Sequence, residues 1–161
     1  MFKYLFSFGI LICSLGFSRE YISEMNCELS YSLEFLRFLK YVKQRLVLSL
    51  TPIRSIAGEF ESEILGDIGF LQRVAGGENI SRAFESSVED KKMDGEAREI
   101  MKSAFEDFGN GNIYYELERL DGSIHKLSSR CEAISEEFKK RAKITRTLSL
   151  AFALGLIILI L

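Results

Sequence analysis

Few residues in this sequence could do chemistry, and none stands in a catalytic or metal-binding pattern. His125 is the single histidine, and because it follows Ile124 in a segment of helical periodicity, we expect a surface residue or a hydrogen-bonded one rather than a general base. The three cysteines, Cys13, Cys27 and Cys131, are not spaced as metal ligands, so a zinc site is not indicated. Cys27 and Cys131 could form one disulfide at most, and in a cytosolic domain we expect two reduced thiols.

Two other groups of residues resemble sites but lack the partners that a site needs. Residues 109–112 read Gly-Asn-Gly-Asn, but this segment follows a predicted helix and lacks the Lys-Ser/Thr pair of a phosphate loop. Two acidic groups lack the Glu-x-x-His spacing of a di-iron bundle and are typical of exposed helix faces. They are Glu61, Glu63 and Asp67, and Glu132, Glu136 and Glu137. We therefore predict a protein that is not an enzyme, with no catalytic residue, metal, cofactor or small-molecule substrate. The formal net charge of −2 gives no indication of a nucleic-acid partner.

The longest regular pattern lies between residues 112 and 161. Its apolar residues recur at alternating intervals of four and three, which is the heptad pattern of a helix packed along another helix. This heptad stripe consists of Ile113, Leu117, Leu120, Ile124, Leu127, Cys131, Ile134 and Phe138. Gly122 lies inside the pattern without shifting its phase, so we predict one continuous helix with Asn112 as its N-cap.

A group of basic residues follows the heptad stripe and precedes an apolar run, 148–161. This basic collar consists of Lys139, Lys140, Arg141, Lys143 and Arg146. A second apolar run covers 1–18, where we favour an uncleaved membrane anchor over a signal peptide, because no small-x-small cleavage site is followed by a break and Arg19 leads into further helical sequence. Both runs are shorter than the roughly 20 residues of an ordinary transmembrane helix. By the positive-inside rule, the collar predicts that the domain between the two anchors, 19–147, is cytoplasmic.

A second long helix is predicted over 18–50. Its apolar face consists of Ile22, Met25, Leu29, Leu36, Leu39, Leu46 and Leu50, widened by Leu33, Phe35, Phe38 and Val42. The helix should end at a turn in which Thr51 caps the next helix and Pro52 occupies that helix's first position. Since each long helix is rooted in the membrane at one end, the two helices should run antiparallel.

Shorter helices are predicted between the two long ones. The segment 64–74 either forms a third short helix or continues the second, until the glycine pair at 76–77 ends it. Asn79 is the predicted cap of the following helix, and Asp94 the cap of a helix that ends at Phe108. No alternating run of β-branched residues indicates a strand. The predicted fold is all-α, an antiparallel bundle of about six helices with hydrophobic membrane segments at both chain ends.

The order of these landmarks resembles the stage III sporulation protein AB family of endospore-forming bacteria. The resemblance rests on the N-terminal apolar run, a leucine-rich helix around 33–39 and the Thr-Pro-Ile turn at 51–53. It continues through Ala-Phe-Glu-Ser-Ser-Val at 83–88, the Phe-Gly junction at 108–109, the final helix and the apolar tail. The similarity covers essentially the whole chain.

Two positions depart from the family's pattern. The family usually has an acidic residue shortly before the Thr-Pro turn, where this chain reads Lys-Gln-Arg at 43–45. A tryptophan is common in the short helix where Phe84 stands. The chain is therefore similar to a divergent member, and the resemblance does not extend to a charge pair near the turn.

The resemblance implies a non-enzymatic component of a secretion-like complex between mother cell and forespore. Its implied partners are a cytoplasmic secretion-type ATPase and other membrane subunits, and its implied location is the mother-cell membrane. The helical domain would be similar to the cytoplasmic domains of type II secretion and pilus platform proteins. The residues leave an alternative open, a membrane-tethered coiled-coil adaptor that oligomerises through its long helices.

Overall fold

The computed structural model describes residues 27–106, 108–109 and 112–160, which form seven helices and no strand. The helices are α1 (described over 27–49), α2 (Ile53–Glu59), α3 (Glu63–Asp67), α4 (Phe70–Ala75), α5 (Ile80–Val88), α6 (Gly95–Phe105) and α7 (Ile113–Ile160). The predicted all-α class is confirmed for these residues. The expected count of about six differs because the segment 64–74 is divided between α3 and α4. Gly69 separates them with a φ of 75°, in the left-handed region that glycine adopts without steric cost.

An aromatic cluster forms the centre of the core. Its fully buried rings are Phe35 and Phe38 from α1, Phe70 from α4, Phe84 from α5 and Phe105 from α6. The Phe70 ring centre lies 5.2 Å from that of Phe35 and 5.3 Å from that of Phe38, both edge-to-face. This is a favoured geometry for aromatic pairs, so the cluster ties four helices to one another.

The buried face of α1 is the predicted one along most of its described length. Its buried apolar residues are Phe35, Leu36, Phe38, Leu39, Val42 and Leu46. The predictions for Leu33 and Leu50 are wrong, since both side chains are exposed. Leu33 lies on the opposite side of the helix from the buried face at 100° per residue, and α1 ends at Ser49, before Leu50. The predicted positions Ile22 and Met25 lie outside the described residues.

Contacts between α1 and the first part of α7 show that these helices run antiparallel. Lys43 forms an ion pair with Asp121. Lys40 lies close to Cys131: burial raises the pKa of the Cys131 thiol, and the positive charge of Lys40 is near enough to lower it. Lys40 precedes Lys43 on α1, whereas Cys131 follows Asp121 on α7, so the two helices proceed in opposite directions.

Three predicted N-caps are confirmed. The side chains of Asn79, Asp94 and Asn112 each accept a hydrogen bond from a backbone N–H two or three residues further on, at 2.9 to 3.3 Å. These bonds satisfy amide groups that have no partner inside the helix. The predicted end of α6 at Phe108 is three residues too late, because the helix stops at Phe105.

The last helix, α7, is continuous through Gly122, as predicted. Residues 27–133 form one compact unit. Within the described ranges, no helix combines the length and the apolar composition that crossing a membrane requires. The predicted anchor at 1–18 lies outside the described residues, and the limits 19–147 and 148–161 stay predictions.

Candidate interaction surface

The residues that could do chemistry remain dispersed in the structure. His125 is exposed on α7. Cys27 is exposed, Cys131 is buried, and both are free thiols. Within the part of the chain that the structure describes, no three His, Cys, Asp or Glu side chains are grouped so that they could hold a metal ion. All six residues of the two acidic groups are exposed, as expected of solvated helix faces.

The Thr51-Pro52 turn is built differently from the prediction. Pro52 itself is the N-cap residue of α2, which begins at Ile53 and has no side-chain hydrogen bond to its first turn. The Thr51 hydroxyl instead shares a hydrogen bond with the Ser49 hydroxyl at the end of α1. The prediction that Thr51 caps α2 is therefore wrong, because Thr51 precedes the N-cap position by one residue.

Three exposed apolar side chains lie at the end of α1, and we call them the turn patch. They are Val47, Leu48 and Leu50, which are 60%, 71% and 68% exposed. Leu50 has a φ of 49°, which is uncommon for a residue with a side chain and directs the backbone out of α1. Isolated exposed leucines are ordinary, but grouped apolar side chains mark a surface that can bind a partner.

Tyr114 and Tyr115 lie at the same end of the antiparallel pair as the turn patch. They are 78% and 74% exposed. The Lys43–Asp121 ion pair gives the register of the two helices. The turn patch begins about one helical turn after Lys43 on α1, and the tyrosines lie about two turns before Asp121 on α7. Tyrosine combines an apolar ring with a polar hydroxyl, a combination enriched at protein interfaces.

A surface depression of about 350 Å³ lies beside α1 and the segment that joins α2 to α3. Its lining residues are Glu34, Arg37, Glu61, Ser62, Glu63 and Ile64. The polar groups bind one another: an Arg37 nitrogen lies 3.3 Å from a Glu34 oxygen, and the Ser62 hydroxyl donates to Glu34 at 2.7 Å. The Arg37 guanidinium also lies 4.7 Å from the centre of the Phe60 ring. These contacts hold the α2–α3 segment against α1.

Arg130 on α7 holds the beginning of α6. Its guanidinium donates to both carboxylate oxygens of Asp94, at 2.9 and 2.7 Å, and lies 3.2 Å from a Glu96 oxygen. The hydrogen bond from Arg130 lowers the pKa of Asp94, although burial acts in the opposite direction. Sequence reasoning found Asp94 as a cap but missed Arg130, because no local pattern connects residues 36 positions apart.

The heptad stripe lies on the packed side of α7. Its buried members are Leu120, Leu127, Cys131 and Ile134, and its partly exposed members are Ile113, Leu117, Ile124 and Phe138. Leu120, Leu127 and Cys131 belong to the same core cluster as the α1 phenylalanines, and Ile113, Leu117 and Ile124 pack against that cluster. From Ile113 to Cys131, the heptad stripe therefore packs against the core of the same chain.

The basic collar lies on the surface of α7. Lys139, Lys140, Arg141 and Lys143 are exposed, while the side chain of Arg146 is outside the described ones. An Arg141 nitrogen lies 3.7 Å from a Glu137 oxygen, but both side chains are more than half exposed, so the pair contributes little to stability. The exposed apolar residues after the collar are Ile144, Leu148, Leu150, Leu154 and Ile158.

The structure defines an all-α module with a buried aromatic core. Its candidate binding residues are the exposed apolar and basic side chains at its surface. The model of the stage III sporulation protein AB family matches residues 3–161, and the chain belongs to this family. The resemblance drawn from the order of landmarks is confirmed, and with it the connection to sporulation. Comparisons with curated proteins and with solved structures found no match.

Proposed function

We propose that this chain is a non-enzymatic platform component of a secretion-like complex used in endospore formation. It docks a cytosolic secretion-type ATPase and neighbouring membrane subunits between mother cell and forespore. Family membership supports the connection to sporulation. The observation that carries the docking role is the exposed group at one end of the α1–α7 pair, formed by the turn patch with Tyr114 and Tyr115.

The turn patch is available for binding because the core does not use it. The inner face of α1 already packs in the core through residues such as Phe38 and Leu46, while Leu48 lies in solvent. Burying an exposed leucine against a partner contributes about 1.5–3 kcal/mol, and tyrosines are enriched among the residues that dominate binding energy. A substitution in the patch should therefore weaken docking without unfolding the bundle.

In this function the chain is held in the mother-cell membrane by its apolar segments, 1–18 and 148–161, with the domain 19–147 in the cytoplasm. Exposed apolar side chains such as Leu148 and Leu154 support a lipid environment for the second segment. The basic collar beside it supports the cytoplasmic orientation, because positively charged flanks remain on the inner side.

The adaptor alternative has less support. An adaptor that oligomerises through its long helices needs the heptad stripe at its surface, but Leu120 and Leu127 are fully buried in the core of the chain. Pairing through those positions would require α7 to leave the core. Cysteine cross-linking at Leu117 that formed only between chains would favour the adaptor.

The docking role can be tested by affinity capture of the tagged full chain from sporulating cells. Three forms are compared: the unchanged chain, Leu48→Glu in the turn patch, and Leu33→Glu as the matched control. Leu33 is exposed on the same helix but outside the patch, so both variants place the same charge on α1. We expect the unchanged chain and Leu33→Glu to capture the secretion-type ATPase, and Leu48→Glu to lose it.

Two results would contradict the proposal. One is reproducible absence of the ATPase when the unchanged chain captures other sporulation membrane proteins. The other is equal capture by Leu48→Glu and Leu33→Glu. Circular dichroism of the purified variants establishes that each is folded before its capture is compared.

A further inference from the structure

The charges of this chain are divided unequally along it. Residues 138–161 contain five basic residues and no acidic one, whereas residues 1–137 contain the other sixteen of the 21 basic residues and all 23 acidic residues. The chain is therefore acidic before the basic collar and cationic from the collar onward. Such a local excess attracts an anionic surface even though the whole chain has a net charge of −2.

Most of the collar's charge is not neutralised by the chain itself. Among the described residues, Lys139, Lys140 and Lys143 form no salt bridge, and all three are exposed. Arg141 differs, since it pairs with Glu137 one turn earlier. The three lysines are therefore available to an external anion.

The register of α7 places two of these lysines together. Lys139 and Lys143 are four residues apart, so they lie on one face within about 40° of each other, and Arg146 occupies the next position of that face. Lys140 and Arg141 fall on other sides of the helix. The collar thus has one face with repeated positive charge, and we call it the lysine face.

The lysine face adjoins the apolar part of α7. The Thr147 hydroxyl donates to the Lys143 carbonyl at 2.9 Å, so this polar group is satisfied inside the helix and needs no water. Beyond it, Leu148, Leu150 and Leu154 are exposed. Cationic side chains followed directly by unpartnered apolar ones match the order of a bilayer, in which headgroup phosphates border hydrocarbon.

We propose that the lysine face of α7 binds the phosphate groups of anionic phospholipids. Lys139 and Lys143 supply ammonium donors to the headgroup, and the apolar residues that follow enter the acyl region. This inference rests on the proposed membrane placement but goes beyond it. A signal for membrane topology needs only positive charge near the membrane, whereas a site for lipid headgroups needs that charge on one face of the helix.

The test uses the full chain, diluted from detergent into preformed vesicles of phosphatidylcholine alone or of phosphatidylcholine with phosphatidylglycerol. Flotation measures the fraction bound to each, and the ratio of the two partition coefficients is the anionic preference. The variants are Lys143→Gln on the lysine face and Lys140→Gln off it. Each removes from the same turn of α7 one exposed positive charge that has no salt bridge among the described residues.

We expect the unchanged chain to prefer the anionic vesicles. Each lysine near an anionic surface contributes roughly fivefold, so Lys143→Gln should reduce the preference about fivefold. Lys140→Gln should reduce it by less than about twofold, and added salt should reduce the preference of the unchanged chain. Far-ultraviolet circular dichroism confirms that both variants retain their helix.

Other outcomes separate the inference from the proposed function. Equal losses in the two variants would overturn the lysine face, because the attraction would then be diffuse. Binding to both vesicle types without preference would overturn the headgroup site while leaving the membrane placement intact. Failure to float with either vesicle type would contradict both the membrane placement and the inference that rests on it.

Discussion

Arg130 in the middle of α7 and Asp94 at the start of α6 are joined by two hydrogen bonds of 2.9 and 2.7 Å. Asp94 simultaneously accepts the Ala97 N–H at 2.9 Å, so one carboxylate caps a helix and fixes it to its neighbour. Arg130 retains Glu96 as a second carboxylate partner at 3.2 Å. Substitutions of Asp94 can therefore distinguish the contribution of the cap to stability from that of the ion pair.

Asp94→Ala should destabilise the protein more than Asp94→Asn. Alanine removes both the cap and the ion pair, which together should cost about 2 kcal/mol, since a cap contributes about 1 kcal/mol and a partly exposed ion pair up to about 1 kcal/mol. Asparagine preserves an oxygen that can cap the helix and should cost about half as much. Urea denaturation of the full chain in detergent measures both; equal losses would show that the cap contributes nothing, because asparagine keeps the capping oxygen and loses only the ion pair.

The Asp94–Arg130 pair should also make stability depend on acid. Hydrogen bonding from Arg130 is the main cause that lowers the pKa of Asp94, with burial opposing it. Because the folded-state pKa lies below the unfolded value of about 3.9, the stabilisation is present above that pH and is lost as the pH falls through the folded-state pKa. The difference in melting temperature between the unchanged chain and Asp94→Asn should shrink from pH 7 to pH 3. A difference that stays constant would contradict this assignment.

A charge at the centre of the heptad stripe should unfold the bundle. The Leu120 side chain is fully buried, so Leu120→Asp leaves a carboxylate without a partner in the core and should cost more than about 3 kcal/mol. Phe138 is only partly buried, so Phe138→Asp should cost less because the carboxylate can reach water. Thermal circular dichroism measures both, with exposed Leu48→Asp as the control that should melt like the unchanged chain. Equal melting of all four proteins would mean that the stripe is not part of the core.

Replacing Thr51 should have little effect, contrary to what its place before proline indicates. Its hydroxyl shares a hydrogen bond with the Ser49 hydroxyl, and α2 has no side-chain cap. Thr51→Ala should change the free energy of unfolding by less than about 0.5 kcal/mol, whereas Asn79→Ala, which removes an observed cap, should cost about 1 kcal/mol. Chemical denaturation that gave the reverse order would restore Thr51 as the functional cap.

Two glycines should respond oppositely to alanine. Gly122 lies within α7 and has open space where a methyl group would project, so Gly122→Ala should stabilise the protein by up to about 1 kcal/mol through helix propensity. Gly77 has a φ of 99°, a backbone conformation that residues with a side chain rarely adopt, so Gly77→Ala should destabilise the protein. Melting temperatures of the two variants provide the comparison. Destabilisation by Gly122→Ala would indicate a contact at this face that the bundle requires.

Local features of this fold could be predicted because their physical causes act over a few residues. The caps Asn79, Asp94 and Asn112 satisfy amide groups two or three positions away, so residue type and position were sufficient. The unbroken phase of the stripe through Gly122 indicated a continuous helix for the same reason, since a helix repeats every 3.6 residues. The family was also recognisable from the order of such local landmarks.

Features that depend on which surfaces meet could not be predicted in this way. Leu33 and Leu36 are both leucines on one helix, yet only Leu36 is buried, because the partner helices cover one side of α1. Thr51 is a strong cap by residue type, but α2 begins after Pro52 and the hydroxyl bonds to Ser49 instead. Asp94 finds Arg130 only when α6 and α7 come together. Periodicity and capping are properties of neighbouring residues, whereas burial and long-range ion pairs arise from the approach of distant segments, and this approach also leaves the turn patch exposed.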